Sequence, residues 1–503
     1  LGGDWKGVQA KIPYLKALGV NTLWLTVPMD NTATAGKGID DDFLYSGFHG
    51  YWPEDLASAE NCFGAGEQTK AKSLADLKDL VAALHAEGMK VLLDYAMVHV
   101  HKDSTTFKDN PDWFWPNDNG KGSTCLCGKT CDWNADGLRC WFTDYLPHWN
   151  FTRPAALKFS VDNAMDWITK AAPAGDRIDG FRLDAIKHVE ASWLTELRRR
   201  VQADVVPSLP AKSRFYMVGE TFDYSPSYLA TFVDPDTKLD GQFDFPERAE
   251  IVEAMLLKRK TMGALAAFMT VNRTANYGPR AVMSPFIGNH DLARVIHLAQ
   301  NNRPWSSEDG TKARAWVTPS NPTLVPQPTE REAYERLGAA FAVLFTNRGI
   351  PLVYYGDEVG LAGAGDPDNR RPMPFCPEAA LSADGKTLGR VCTPAEGPPA
   401  WNAGQTWLHD RVAKLAAIRA AHPALRRGTL ETLPLSAAER ADVWAYRRRA
   451  ESDTVYVVVN RADEAKTVQV LPNATYDELV AGGTVSGTSV TVPPREARVL
   501  VAR

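Results

Sequence analysis

Long apolar runs are missing from this sequence. Nowhere do the 503 residues hold a hydrophobic stretch approaching the roughly 20 residues that span a bilayer, which argues against a membrane partner. Charge of one sign is also scarce. Fifty-six Lys and Arg face 61 Asp and Glu, a net charge of -5, and so mild a balance offers no basic footprint for nucleic acid. Cysteine is sparse, at seven positions. No internal repeat or low-complexity tract is visible. The chain opens on Leu1 without a leader sequence, and its first recognisable element, residues 5–18, already reads as a helix, so an upstream segment is expected.

Apolar residues make up 44% and charged residues 23%, the proportions of a soluble globular protein. The length exceeds one ordinary core and predicts a large domain with one or two accessory ones. The 15 Trp and 15 Tyr offer flat faces of the kind that stack on sugar rings, although most aromatics are core. Four cysteines crowd together as C-x-C-x3-C-x8-C at Cys125, Cys127, Cys131 and Cys140. Cys376 and Cys392 bracket another loop, and Cys62 stands apart. Zinc is a rival reading of the cluster, but CxxC knuckles are absent. Disulfides and an oxidising, extracellular compartment are favoured, with the pairing open and the odd cysteine free or paired upstream.

Short β-branched runs alternate with amphipathic stretches, which predicts a parallel sheet covered by helices. Strands are expected at 20–27, 89–98, 178–184, 215–220, 241–245, 282–288 and 350–355. Helices are expected at 73–87, after a Ser cap, and at 330–346 and 406–421. Seven such strands invite an eighth just before residue 1, giving a (β/α)8 TIM barrel. An open doubly wound sheet is weaker, because no Gly-rich phosphate turn follows the first strand. Residues 101–155, rich in Trp, Asp, Asn, Gly and Cys, read as a small inserted domain after the third barrel strand, counting the upstream one. The barrel thus takes 1–100 and 156–428. Residues 429–503 read as a C-terminal all-β sandwich.

In such a barrel, chemistry sits at the C-terminal strand ends. Asp94 and His99 gather there, as do Arg182, Asp184, Lys187 and His188, then Glu220, then His290 and Asp291. No Ser–His–Asp elbow or HExxH zinc helix is apparent. Three carboxylates on neighbouring strand ends suit glycoside hydrolysis, in which one attacks, one shuttles a proton and one steadies a cationic transition state.

The strings themselves resemble the motif set of the α-amylase family of glycoside hydrolases. GFRLDAIKH (180–188), MVGET ending in Glu220 and Thr221, FIGNHD (286–291), HGYWPED (49–55) and DPDNR (366–370) come in the family's order and spacing. The resemblance implies that Asp184 is the nucleophile, Glu220 the acid/base and Asp291 the transition-state stabiliser. It implies that Arg182 orients Asp184, that Tyr51 stacks beneath the sugar, and that His49, Asp94, His99 and His290 line the cleavage subsite. Lys187 and His188 are expected on the leaving-group side, and Asp366 and Arg370 at the other end of the glucan. The implied substrate is an α-1,4-glucan or maltooligosaccharide, cut by a monomeric, secreted enzyme. LGGDWKG and the HGYW region resemble cyclodextrin glucanotransferases, so transfer to a sugar acceptor is an alternative to hydrolysis. A non-catalytic scaffold is a third reading, disfavoured because all three carboxylates are present.

The pattern breaks at three places. FIGNHD carries Gly288 where the family has Asp. DYAMVH (94–99) carries Val98 where the family has a calcium-binding Asn. LPHWN (146–150) replaces the usual LPDLD or LPDLN. A structural calcium between barrel and insert would be left with Asn150 and the backbone carbonyl of His188. A second calcium site is suggested by Gly2 and Asp4 in the GGDW segment.

Overall fold

The computed structural model describes residues 3–38, 44–211, 213–305, 324–375 and 401–503. Five short runs form a parallel sheet: β1 (Thr22–Leu25), β2 (Lys90–Tyr95), β3 (Gly180–Leu183), β4 (Tyr216–Gly219) and β5 (Gly241–Gln242). They pair in chain order. β3 is buried along its whole length, and β2 beyond Lys90, as expected of strands covered on both faces. A Cβ on Gly180 would lie 2.0 Å from the Tyr216 carbonyl, so only glycine lets β3 and β4 approach this closely.

The arc continues through single parallel bridges, Phe243 to Ser284 and Phe286 to Leu352. The segments expected as strands six and seven therefore follow the sheet without forming full ladders. Pro285 and Pro351 supply no N–H, which breaks the hydrogen-bond run. Among the described residues no further strand joins Leu352 to β1. The architecture is that of a (β/α)8 barrel, with helices on the outside.

Those helices begin where local chemistry allows. Thr69 caps the helix Lys70–Ala86 by accepting from Lys72 N. The cap expected at Ser73 is thus misplaced: Ser73 is buried inside the helix and its Oγ accepts from Trp5 Nε1 at 3.0 Å. Pro154 opens the helix Pro154–Lys170. Asn402 and Gln405 form a reciprocal capping box on the helix Ala403–Ala421.

The insert leaves the barrel after β2. Its four cysteines form two disulfides, Cys125–Cys131 and Cys127–Cys140, which removes zinc as the reading of that cluster. Phe114 stacks on Trp149 at 4.2 Å between centroids, so the Trp-rich stretch serves as core. Cys62 is an exposed free thiol. Cys376 and Cys392 lie outside the described residues.

The C-terminal domain is all-β. Its six strands join in one antiparallel sheet, in the spatial order Thr429–Thr432, Val443–Ala450, Asp453–Asn460, Glu496–Ala502, Lys466–Glu478, Thr484–Val492. The period of two sorts the side chains into two cores. Trp444, Tyr446, Val457, Val459 and Val499 pack on barrel helices. Val443, Ala445, Tyr456, Val458 and Leu500 pack instead beneath Val468, Tyr476 and Val490 of the domain's own hairpin.

Candidate active site

Parallel pairing brings the polar strand ends together. Asp94 stands opposite Arg182 in the β2–β3 register, and Asp184 and Glu220 directly follow β3 and β4. The backbone locks the two carboxylates side by side: Glu220 N donates to Leu183 O at 2.9 Å, and Ile186 N to Glu220 O at 2.8 Å. Ala185 sits between them in the left-handed region (φ 42°). That conformation is unusual for alanine, and it aims Ala185 N at Glu220 Oε2, 3.1 Å away.

Arg182 lies at the centre, with its side chain 1% exposed. Its Nη1 is 3.0 Å from both oxygens of Asp94, 2.6 Å from Asp184 Oδ1 and 3.2 Å from Tyr51 Oη. Its Nη2 is 4.0 Å from Glu220 Oε2. Trp24 and Phe243 flank the guanidinium at 4.9 and 5.6 Å. Tyr51 Oη donates to Asp94 Oδ2 at 2.6 Å and lies 3.0 Å from His290 Nε2, with the two rings stacked 7° from parallel. His49 also stacks on the Tyr51 ring, 5.7 Å between centroids, and its Nδ1 accepts from Tyr51 N.

Asp291 approaches from the loop after Phe286. Asn289 Oδ1 accepts from Asp291 N, His290 Nε2 is 3.3 Å from Asp291 Oδ2, and Arg370 Nη2 is 3.5 Å from Oδ1. Arg370 is itself held by Asp366, Nε to Oδ1 at 2.7 Å. Gly288 now has a reason: a Cβ there would meet Asp357 Oδ2 at 2.1 Å. The carboxylate of Asp357, paired with Arg294 at 3.0 Å, fills the space that a side chain at 288 would need.

The electrostatics divide the carboxylates. Burial raises Glu220 to about 8, with Arg182 opposing and Asp184 and Asp291 adding to the rise. Burial also raises Asp184, to about 7, against the direct pull of Arg182. At Asp291 burial works upward too, yet His290, Arg370 and Arg182 hold it below the ordinary value. Asp184 and Glu220 are thus both held above the ordinary carboxylate range by burial, while Asp291 is held below it. Burial lowers His290 and His49 to about 3, leaving both rings neutral.

Three predicted residues have protein partners of their own. His99 commits Nε2 to the Tyr51 carbonyl at 2.8 Å, so it props Tyr51. Lys187 donates to Phe222 O at 3.1 Å and lies 5.7 Å from the Trp133 ring of the insert. His188 does not reach a leaving-group side: its ring is 1% exposed, with Nδ1 2.8 Å from Gly137 O of the insert. Trp24 and Asn289 were missed. Trp24 Nε1 donates to Asp94 Oδ2 at 3.1 Å, and strand alternation alone puts it on the inward face with Asp94 and Arg182.

The residues present do not fit the calcium that the family resemblance implies. Val98 has no ligand atom. Asn150 Oδ1 accepts from both N and Oγ1 of Thr152. The His188 carbonyl accepts from His148 Nε2 at 2.9 Å. At the other suggested site, Asp4 caps its helix by accepting from Gly7 N at 2.6 Å, and Gly2 lies outside the described residues.

Residues 2–410 match the family described as alpha amylase, catalytic domain, and residues 442–502 match the beta-galactosidase C-terminal domain. The whole chain aligns at 26% identity with 56% of an alpha-amylase of Streptomyces lividans. It aligns over 99% of its length, at 28% identity, with 72% of a cyclomaltodextrin glucanotransferase of Klebsiella oxytoca. The chain thus spans little more than half of the Streptomyces relative. Among solved structures, the alpha-amylase of Geobacillus thermoleovorans complexed with acarbose superimposes with a TM-score of 0.74 at 26% identity, covering 100% of this chain and 92% of that one.

Proposed function

The chain belongs to the α-amylase family of glycoside hydrolases, and from that premise we propose that it hydrolyses internal α-1,4-glucosidic bonds of starch-like glucans with retention of configuration. One observation carries the reading: two buried carboxyls, Asp184 and Glu220, stand side by side on adjacent strand ends, locked by Glu220 N to Leu183 O and Ile186 N to Glu220 O, with Arg182 against Asp184.

Asp184 attacks the anomeric carbon. The glucosidic C–O bond breaks as Glu220 gives its proton to the departing oxygen, leaving a glucosyl ester on Asp184. Glu220, now a carboxylate, takes a proton from water, whose oxygen displaces Asp184 from the face on which the leaving group stood. Two inversions give net retention. Asp291, ionised and held by Arg370, stabilises the positive charge that develops on the ring and binds its hydroxyls. Arg182 keeps Asp184 oriented and counters its burial. Tyr51, fixed by Asp94 and His290, offers its ring as the floor of the cleavage subsite. The insert's two disulfides support a secreted enzyme. No step is assigned to calcium.

Transfer to a sugar acceptor uses the same covalent ester, and the relatives named cyclomaltodextrin glucanotransferase keep that reading in play. A time course of products from amylose separates the two. Linear maltooligosaccharides from the earliest points support hydrolysis, whereas cyclic or lengthened products would replace it with transfer. No reaction on any α-glucan would defeat both.

A further inference from the structure

The junction between insert and barrel is organised around His148. Residues 98–100 and 147–149 run antiparallel there, with Trp149 N donating to Val98 O at 3.0 Å and Val100 N to Pro147 O at 3.2 Å. The His148 ring is 2% exposed. Its Nδ1 lies 2.7 Å from the carbonyl oxygen of Cys140, in the insert, and its Nε2 lies 2.9 Å from that of His188, in the barrel.

A carbonyl oxygen only accepts. Two of them stand at hydrogen-bond distance from the two ring nitrogens, so the imidazole spans the gap between them. The ring therefore bridges two converging carbonyl oxygens, one from the insert and one from the barrel. Burial lowers the His148 pKa below the ordinary value, and the two carbonyl contacts only partly offset it. The neighbouring rings of His99 and His188 are pushed by burial to about 4 and about 3 and stay neutral.

Carbonyl oxygens converging from two chain segments on one buried point are the donors a hard cation takes. Here the usual side-chain donors are gone. Val98 has none, Asn150 is turned onto Thr152, and the carboxylate position is the histidine itself. We propose that the His148 side chain stands where a divalent cation would tie the insert to the barrel, so that this junction holds without calcium. The Cys127–Cys140 disulfide completes the device by fixing one of the two acceptors. The tie matters for the site because His188 lies only four residues beyond Asp184.

Hydrogen–deuterium exchange on the full chain tests this. The segments 138–150 and 186–190 report on the junction, and calcium bound elsewhere would not protect them. In the unmodified protein their protection stays the same in chelator and in millimolar calcium chloride. In His148→Ala it falls by roughly tenfold or more, the effect of losing the buried bridge between the two carbonyls, and calcium does not restore it. In the double variant Val98→Asn/His148→Asp, protection and calorimetric binding become calcium-dependent. Loss of protection in the unmodified protein on adding chelator overturns the proposal, and that measurement needs no variant to fold. Wild-type protection in His148→Ala, or a double variant that ignores calcium, overturns it as well.

Discussion

Nη1 of Arg182 lies 2.6 Å from Oδ1 of Asp184, two residues further along the chain and just past the end of β3. Both side chains leave the sheet on one face because strand side chains alternate. The same nitrogen also serves Asp94, so a single buried cation steadies two carboxylates. Asp184→Asn keeps the shape and removes the nucleophile. Hydrolysis of soluble starch should fall by at least about 10⁴-fold while the thermal melt remains cooperative. Reducing-sugar release at near-native rates would remove Asp184 from the mechanism.

The stereochemical outcome is a separate prediction. Attack by Asp184 followed by water gives the α-anomer at first release. Proton NMR within the mutarotation time reads this directly, and β-anomer in the first spectra is the contrary result.

The pH profile should be bell-shaped. Asp184 must be ionised, so activity is present above about 7 and lost as pH falls through that value. Glu220 must be protonated for the first step, so activity is present below about 8 and lost as pH rises through it. Beyond each limb kcat/KM should fall about tenfold per pH unit. Glu220→Gln should lose activity on substrates with poor leaving groups far more than on activated aryl glycosides. Equal losses on both would argue against an acid role.

Gly288→Ala is predicted to be costly despite its size. The new methyl would meet Asp357 Oδ2 at 2.1 Å, displacing a buried carboxylate from Arg294. Overpacking of this kind costs about 1–3 kcal/mol, measurable by urea denaturation, and His290 and Asp291 just beyond should lose alignment with it. A neutral substitution would show that Asp357 can move freely.

Opening the Cys127–Cys140 loop with Cys127→Ser/Cys140→Ser should destabilise the insert by roughly 3 kcal/mol, seen as faster cleavage of 101–155 by protease. Unchanged cleavage would show that the aromatic core around Trp149 suffices.

Much of this site is legible in the sequence because barrel topology converts strand order into adjacency. DYAMVH, GFRLDAIKH and MVGET lie far apart in the chain, yet successive parallel pairing puts their carboxyl ends side by side. What escaped reading depends on contacts that no period encodes. His188 closes the motif GFRLDAIKH but turns to Gly137, because the insert folds over it. His99 has its Nε2 taken by the Tyr51 carbonyl. Val98 and His148 are 50 residues apart, and only the antiparallel pairing of 98–100 with 147–149 reveals that both departures belong to one place. The sixth and seventh strands read as strands from their apolar content, and Pro285 and Pro351 reduced them to bridges.

The two-sided packing of the C-terminal sheet bears on how this molecule fails. Trp444, Tyr446 and Val457 share one apolar core with barrel helices, and Arg448 and Arg461 reach across to the carbonyls of Thr346 and Ala254, each at 2.6 Å. The change of pattern near residue 428 is thus a seam in the text and not in the energetics. Heat should dismantle barrel and sheet in a single calorimetric transition, and a chain cut at that seam would leave the barrel with an uncovered apolar face, prone to aggregate before it could act on anything.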